Sequence, residues 1–172
     1  MFGMFKKAML ITAILLPSLG GCTNYFTAVE QIGQYEIGEQ GPAGGWIVYE
    51  NEDWPDDDWR YLELAPDDHI DSGNLDWAPE DVKDTSIPDG TGAAIGDGAA
   101  NTEAILDFFE SESTGDITTT APYAADTYSQ GGYTDWFLPA IDTLEYIQNN
   151  YDYDFNQTGY ASSTEYDNSN VY

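Results

Sequence analysis

Carboxylates are the residues of this chain best placed to do chemistry, and calcium is the first ion to test them against. The run Asp56-Asp57-Asp58 and the alternating set Asp152, Asp154 and Asn156 present hard oxygen ligands close together. The second set opens like a calcium-binding loop. Its sixth position, however, is Gln157 instead of glycine, and its twelfth is Ser163 instead of glutamate, so it is not an EF-hand. Both runs read by default as solvated acidic loops, with a looser calcium site as the alternative. His69 is the single histidine, which excludes a histidine-built metal cluster. It is also the only histidine a Ser-His-Asp triad could use, and no nucleophile-elbow motif accompanies it. Paired carboxylates for glycoside hydrolysis are available in quantity, which makes any one pair uninformative. Among the aromatics, tryptophans in acidic loops are the candidates for stacking on sugar rings. Trp77 is the first choice and Trp54 the second, while Trp46, Trp59 and Trp136 sit in strand-like runs and read as core.

The elements that would hold these residues follow from periodicity and punctuation. Trp46 to Tyr49 is a β-rich run after the turn cluster at 41–45. Residues 51–58 read as a solvent-facing hairpin loop, and Trp59 to Ala65 as the returning strand. Its alternation sets Trp59, Tyr61, Glu63 and Ala65 against Leu62 and Leu64, a strand covered on both sides. The glycine-dense loop at 90–98 lacks the Lys and Ser/Thr of a phosphate loop and reads as a tight structural connection. It feeds a helix over about 102–110, with Asn101 as N-cap and Ile105, Phe108 and Phe109 as its apolar stripe. A short helix is expected over 123–128 and a third over about 140–149, with Ile141, Leu144 and Ile147 or Gln148 inward. Residues 159–165 read as a last strand.

The first 21 residues carry the marks of an export leader, with Lys6 and Lys7 before an apolar core at 8–16 and then Leu19-Gly20-Gly21-Cys22. The core is too short to span a bilayer stably. The last four residues resemble the lipobox of bacterial lipoproteins, which implies cleavage before Cys22 and lipidation of its sulfur. Cys22 is the only cysteine, so no intramolecular disulfide forms. Residues 22–33 would tether the lipid to a domain spanning 34–172. The mature part keeps only Arg60 and Lys83 against all 32 acids, a formal charge of −30. With five Trp, thirteen Tyr and seven Phe in the whole chain, this composition fits a folded protein of a salty habitat, not a disordered chain. It offers no basic patch for nucleic acid. No cofactor is called for, calcium being the one ion these acids would take.

One segment is more specific than the rest: Gly131-Gly132-Tyr133-Thr134-Asp135-Trp136-Phe137-Leu138-Pro139. Two glycines permit a tight turn, an aromatic strand follows with Trp136 and Leu138 on one face, and Pro139 precedes a helix. Four further blocks accompany it in order. They are Ile37 to Tyr49 through Gly41-Pro42-Ala43-Gly44-Gly45, Trp59 to Pro66, Gly90 to Leu106, and Gly159 to Glu165. As a set these resemble the Lcl-type C-terminal domain family, named for the C-terminal domain of a bacterial collagen-like adhesin.

The resemblance implies an α+β, C-type-lectin-like domain with short antiparallel strands, two or three helices and long loops. It also implies a surface role in adhesion or glycan binding, without catalytic residues. Three departures stand out. Ala161 replaces an aromatic, and Ala140 replaces the small polar cap before the last helix. The family domain also continues for about two strands, so the chain reads as incomplete at its C-terminal end, with an open sheet edge. The adhesin's sulfated polysaccharide does not transfer to a domain at −30. Formylglycine-generating enzymes share the lectin-like fold but need redox cysteines that this chain lacks. The expectation is therefore a non-enzymatic lipoprotein of the outer membrane or cell surface that binds glycans or surface proteins. The alternatives are a structural envelope lipoprotein without a ligand and, third, a glycoside-acting enzyme.

Overall fold

The computed structural model of the protein describes residues 5–8, 35–54, 56, 59–66, 75–151, 160–167 and 170–171. Phe5–Ala8 (β1), Trp46–Glu50 (β2), Tyr61–Leu64 (β3) and Trp136–Phe137 (β4) form one antiparallel sheet in the order β2-β3-β1-β4. Glu165–Asp167 (β5) and Asn170–Val171 (β6) pair separately. The helices are Gly98–Glu112 (α1), Ala121–Asp126 (α2) and Ile141–Asn150 (α3). The architecture is α+β, with short strands and long connections. None of these helices is long and apolar enough to cross a membrane.

The hairpin of β2 and β3 lies where the alternating sequence puts it, and all four residues of β3 are buried. The flanking Trp59 departs from the expected face. It joins Leu62, Leu64, Val48 and Phe137 in one apolar cluster, because the chain is irregular before Tyr61 and the two-residue period starts only there. At β4 the alternation holds. Trp136 and Leu138 belong to a cluster with Ala43, Ala65, Ala121 and Ala161, while Phe137 faces the other one. The small Ala161 fits among those alanines. Gly131 and Gly132 form the expected tight turn, both at positive φ (60° and 85°), closed by reciprocal backbone bonds between Gln130 and Tyr133.

Helix α1 starts earlier than its sequence signals suggest. Asn101 lies inside its first turn because its side chain serves the glycine loop instead of the helix: Nδ2 donates to the Gly92 carbonyl, and Oδ1 accepts from the Gly92 amide, both at 2.8 Å. Gly98 opens the helix where a Cβ would stand 2.5 Å from the Leu138 carbonyl oxygen. Helix α3 begins without a side-chain cap at Ala140. Its orphan amides are met from elsewhere. The Ile141 amide donates to the Thr164 hydroxyl at 3.0 Å and the Asp142 amide to the Ala93 carbonyl at 3.1 Å. Its buried side is Thr143 and Ile147, and Gln148 is exposed. Ser162, Ser163 and Thr164 are buried polar residues and not a strand, whose place is taken by β5.

One placement was not expected. The sequence sets residues 1–21 outside the domain as a leader. In this whole chain Phe5–Ala8 occupy an inner position of the sheet, with Phe5 in register with Leu64 and Phe137, and Lys6 with Glu63 and Trp136. The physical reason is that β3 and β4 do not pair with each other. Each presents an unsatisfied ladder, and an extended backbone between them satisfies both.

Candidate ligand-binding cleft

The hairpin loop after β2 is built on Asn51. Its amide donates to the Arg60 carbonyl at 2.7 Å, its Nδ2 to the Trp59 carbonyl at 3.2 Å, and its Oδ1 accepts from the Asp53 amide at 3.0 Å. A buried asparagine that satisfies both sides of the hairpin end fixes the direction of the loop. The Trp54 amide then donates to the Asn51 carbonyl, and the Trp54 side chain stands half-buried at the wall of a cleft of about 610 Å³.

Tyr49, Tyr146, Ile37, Arg60 and the acids Glu50 and Glu52 complete this wall. Tyr49 and Tyr146 meet edge to face at 5.1 Å, which locks both rings in place. Arg60 donates through Nε (3.1 Å) and Nη2 (2.9 Å) to one oxygen of Glu50, and its guanidinium lies 4.9 Å from the centre of the Tyr61 ring. Burial pushes the Tyr49 hydroxyl pKa up, and the nearby charge of Glu52 adds to this. Tyr49 therefore stays a neutral donor at physiological pH. The cleft thus combines aromatic faces with a held cation, carboxylates and hydroxyls, which is the equipment for a polyhydroxylated ligand with apolar C–H faces. Ile37 is 45 % exposed in its mouth, one of the few large apolar side chains left open among the described residues.

Two other concavities differ in kind. A smaller one of about 250 Å³ is lined by Gly38, Trp46, Ile47, Val48, Leu64, Ile147 and Tyr151 and is almost wholly apolar, with few groups to orient a ligand. A third, between α1 and β4, is lined by Glu103, Asp107, Glu110, Asp126 and Asp135. Trp136 also lines it, and its indole nitrogen is buried without a hydrogen-bond partner.

The sequence candidates separate in the structure. Trp54 lies in the cleft. Trp77 is half-buried and held against the core: its indole N–H donates to the Ser162 carbonyl at 3.0 Å, and its ring meets Phe109 edge to face at 6.0 Å. Asp56 is exposed in the hairpin loop, and its amide donates to the Asp53 carbonyl. Asp57, Asp58, Asp152, Asp154, His69 and Cys22 lie outside the described residues. Among the described residues no three His, Cys, Asp or Glu side chains stand together in a way that would hold a metal ion. Sequence reasoning missed Tyr49, Tyr146 and Arg60. Tyr49 and Arg60 carry only strand signals in the sequence, and Tyr146 comes from a distant helix with no local signal. No family model matches this chain, and neither do curated proteins or solved structures.

Proposed function

We propose that this chain is a non-enzymatic binding module of an exported, lipid-anchored surface protein, and that it holds a sugar in the cleft at Trp54. One observation carries the reading: three half-buried aromatic side chains, Tyr49, Trp54 and Tyr146, share a wall with the Arg60–Glu50 pair. Aromatic faces stack on the C–H face of a pyranose, and the paired charges hydrogen-bond its hydroxyls at fixed positions. The resemblance of the five sequence blocks to the Lcl-type domain points the same way, to a C-type-lectin-like module at the bacterial surface. Lys6, Lys7, the apolar run and Cys22 support the leader and the lipid anchor.

A neutral sugar fits better than an anionic one. Arg60 is already neutralised by Glu50, and the domain carries a formal charge of −30 once the leader is gone. Sulfated or uronic ligands meet that field as repulsion. The test is a glycan array and calorimetric titration in molar salt, with and without calcium. Binding of neutral glycans that is lost in Trp54→Ala and kept in Trp77→Phe supports the proposal. A wild-type protein that binds no glycan under any of these conditions contradicts it and favours a structural envelope role. Turnover of a sugar, abolished by one carboxylate substitution, would make it an enzyme instead.

A further inference from the structure

Strand β2 carries one residue more than its partner requires. Trp46 is in register with Leu64, Ile47 with Glu63, Tyr49 with Leu62 and Glu50 with Tyr61, so Val48 is the additional residue of a bulge. On a regular strand, residues three apart face opposite ways. The bulge instead sets Trp46 and Tyr49 on one face, opposite Leu64 and Leu62. A bulge that re-aims a side chain beside a cleft is a common device of binding sites. The strand-like run around Trp46 suggests a core residue, yet Trp46 is 45 % exposed.

Two concavities lie against this strand. The cleft at Trp54 takes Ile37, Tyr49 and Tyr146, and the hollow of about 250 Å³ takes their chain neighbours Gly38, Val48 and Ile147. The two therefore adjoin at three separate points of the chain. Across the boundary, the Tyr146 ring of the cleft and the Tyr151 ring of the hollow stand 6.4 Å apart. Ile37 and Trp46 are the large apolar side chains left exposed among the described residues, and each concavity has one of them in its wall. Single exposed apolar residues are ordinary, but two at adjoining hollows mark a contact surface.

We propose that the two concavities form one extended groove along β2, and that its ligand is a neutral oligosaccharide chain with Trp46 as the second aromatic anchor. The inference rests on the reading of the cleft at Trp54 as a sugar site. Trp46 and Tyr49 alone are about 10 Å apart along the strand, more than one pyranose ring covers. The ends of the groove have different roles. Arg60, Glu50 and the Tyr49 hydroxyl give the Trp54 end its polar contacts. At the Trp46 end the wall is nearly all apolar, and the Tyr151 hydroxyl proton is already given to the Val48 carbonyl at 2.7 Å. The first sugar is thus selected by its hydroxyls, and the units beyond it are held by their C–H faces.

The test is calorimetric titration in molar KCl with the mono-, di- and pentasaccharides of neutral cello-, manno- and malto-series. The proteins are wild type, Trp46→Ala, Trp46→Phe and Trp54→Ala. Wild type should bind the pentasaccharide of its preferred series about tenfold or more tighter than the monosaccharide. Trp46→Ala should lose this advantage of length and keep its monosaccharide affinity, Trp46→Phe should retain most of the advantage, and Trp54→Ala should weaken binding at every length. Equal affinity at all lengths, or an advantage that survives in Trp46→Ala, overturns the extended groove; if Trp54→Ala still weakens binding, the cleft reading stands without it. Self-association of the free protein that Trp46→Ala abolishes, with no dependence on chain length, would assign this face to a second copy instead. No binding of any of these sugars by wild type overturns the groove together with the cleft.

Discussion

The carboxylate of Glu63 accepts the backbone N–H of Gly45 at 2.7 Å, in a site where Glu63 is 0 % exposed. The Ala43 amide donates to the same carboxylate at 3.1 and 3.2 Å. The glycine-rich block at 41–45 is therefore wrapped around a buried carboxyl group. A Cβ at Gly41 would stand 2.4 Å from the carboxylate of Glu63, and one at Gly45 would stand 2.0 Å from the Leu64 carbonyl oxygen. Glu63→Leu leaves two buried amides without an acceptor and should cost about 2–6 kcal/mol. Gly45→Ala should be at least as damaging. Denaturant unfolding in molar salt measures both, and losses under 1 kcal/mol would refute this role for Glu63.

A second polar knot joins segments distant in sequence. Asn101 holds both backbone groups of Gly92 and donates to the Ser163 hydroxyl at 3.1 Å, while the Thr164 hydroxyl reaches the Gly92 carbonyl at 2.9 Å. Asn101→Leu takes a partner from the buried Ser163 hydroxyl and frees the exposed Gly92 loop, and should lower stability by about 1–3 kcal/mol. A thermal melt and denaturant curve check this. Exposed Asn149→Ala serves as the neutral control.

Two groups of the fold titrate away from their ordinary pH. Hydrogen bonds from the Ser113 hydroxyl, and then from the amide and hydroxyl of Thr114, hold Asp81 down to about 2. Its folded value lies below its unfolded one. The stability it contributes is therefore complete above about pH 4 and is lost as pH falls toward 2. Tyr151 is the opposite case. Burial, with Tyr146 beside it, raises its hydroxyl to about 12, and it donates to the Val48 carbonyl at 2.7 Å. That contribution is present below pH 10 and fades as pH rises through 12. Asp81→Asn should flatten the acid limb of a stability profile and Tyr151→Phe the alkaline limb. Unchanged limbs would assign the pH dependence to other groups.

Salt should stabilise the domain. Both cations beyond the leader are already paired, Arg60 with Glu50 and Lys83 with Glu80, which leaves most of the acids facing one another. Screening shortens from about 10 Å at 0.1 M to about 3 Å at 1 M. Tm should therefore climb steadily over that range of KCl, and a flat response would contradict the salt-adapted reading.

Much of the framework was legible because it rests on local pattern. The β2–β3 hairpin, the Gly131-Gly132 turn and the apolar stripe of α1 all follow from spacing within a few residues. The missed features depend on distant partners. Nothing near Asn101 indicates that Gly92 and Ser163 will claim its side chain, and nothing near Ala140 shows that Thr164 will serve its helix. The cleft was half legible. Trp54 stood out in an acidic loop, but Tyr146 reaches it from α3 and Arg60 from the returning strand. Trp77 carried the same local signal as Trp54, and only the Ser162 carbonyl and the Phe109 ring distinguish them.

The most direct test of the central claim is a calorimetric titration of neutral oligosaccharides into wild type and Trp54→Ala, in molar KCl. Wild type should bind at least one of them. Loss of an aromatic anchor of this kind is worth about 2 kcal/mol, so Trp54→Ala should bind roughly thirtyfold more weakly with its fold intact. Equal affinity in the two proteins, or no binding by wild type, would contradict the assignment of the cleft.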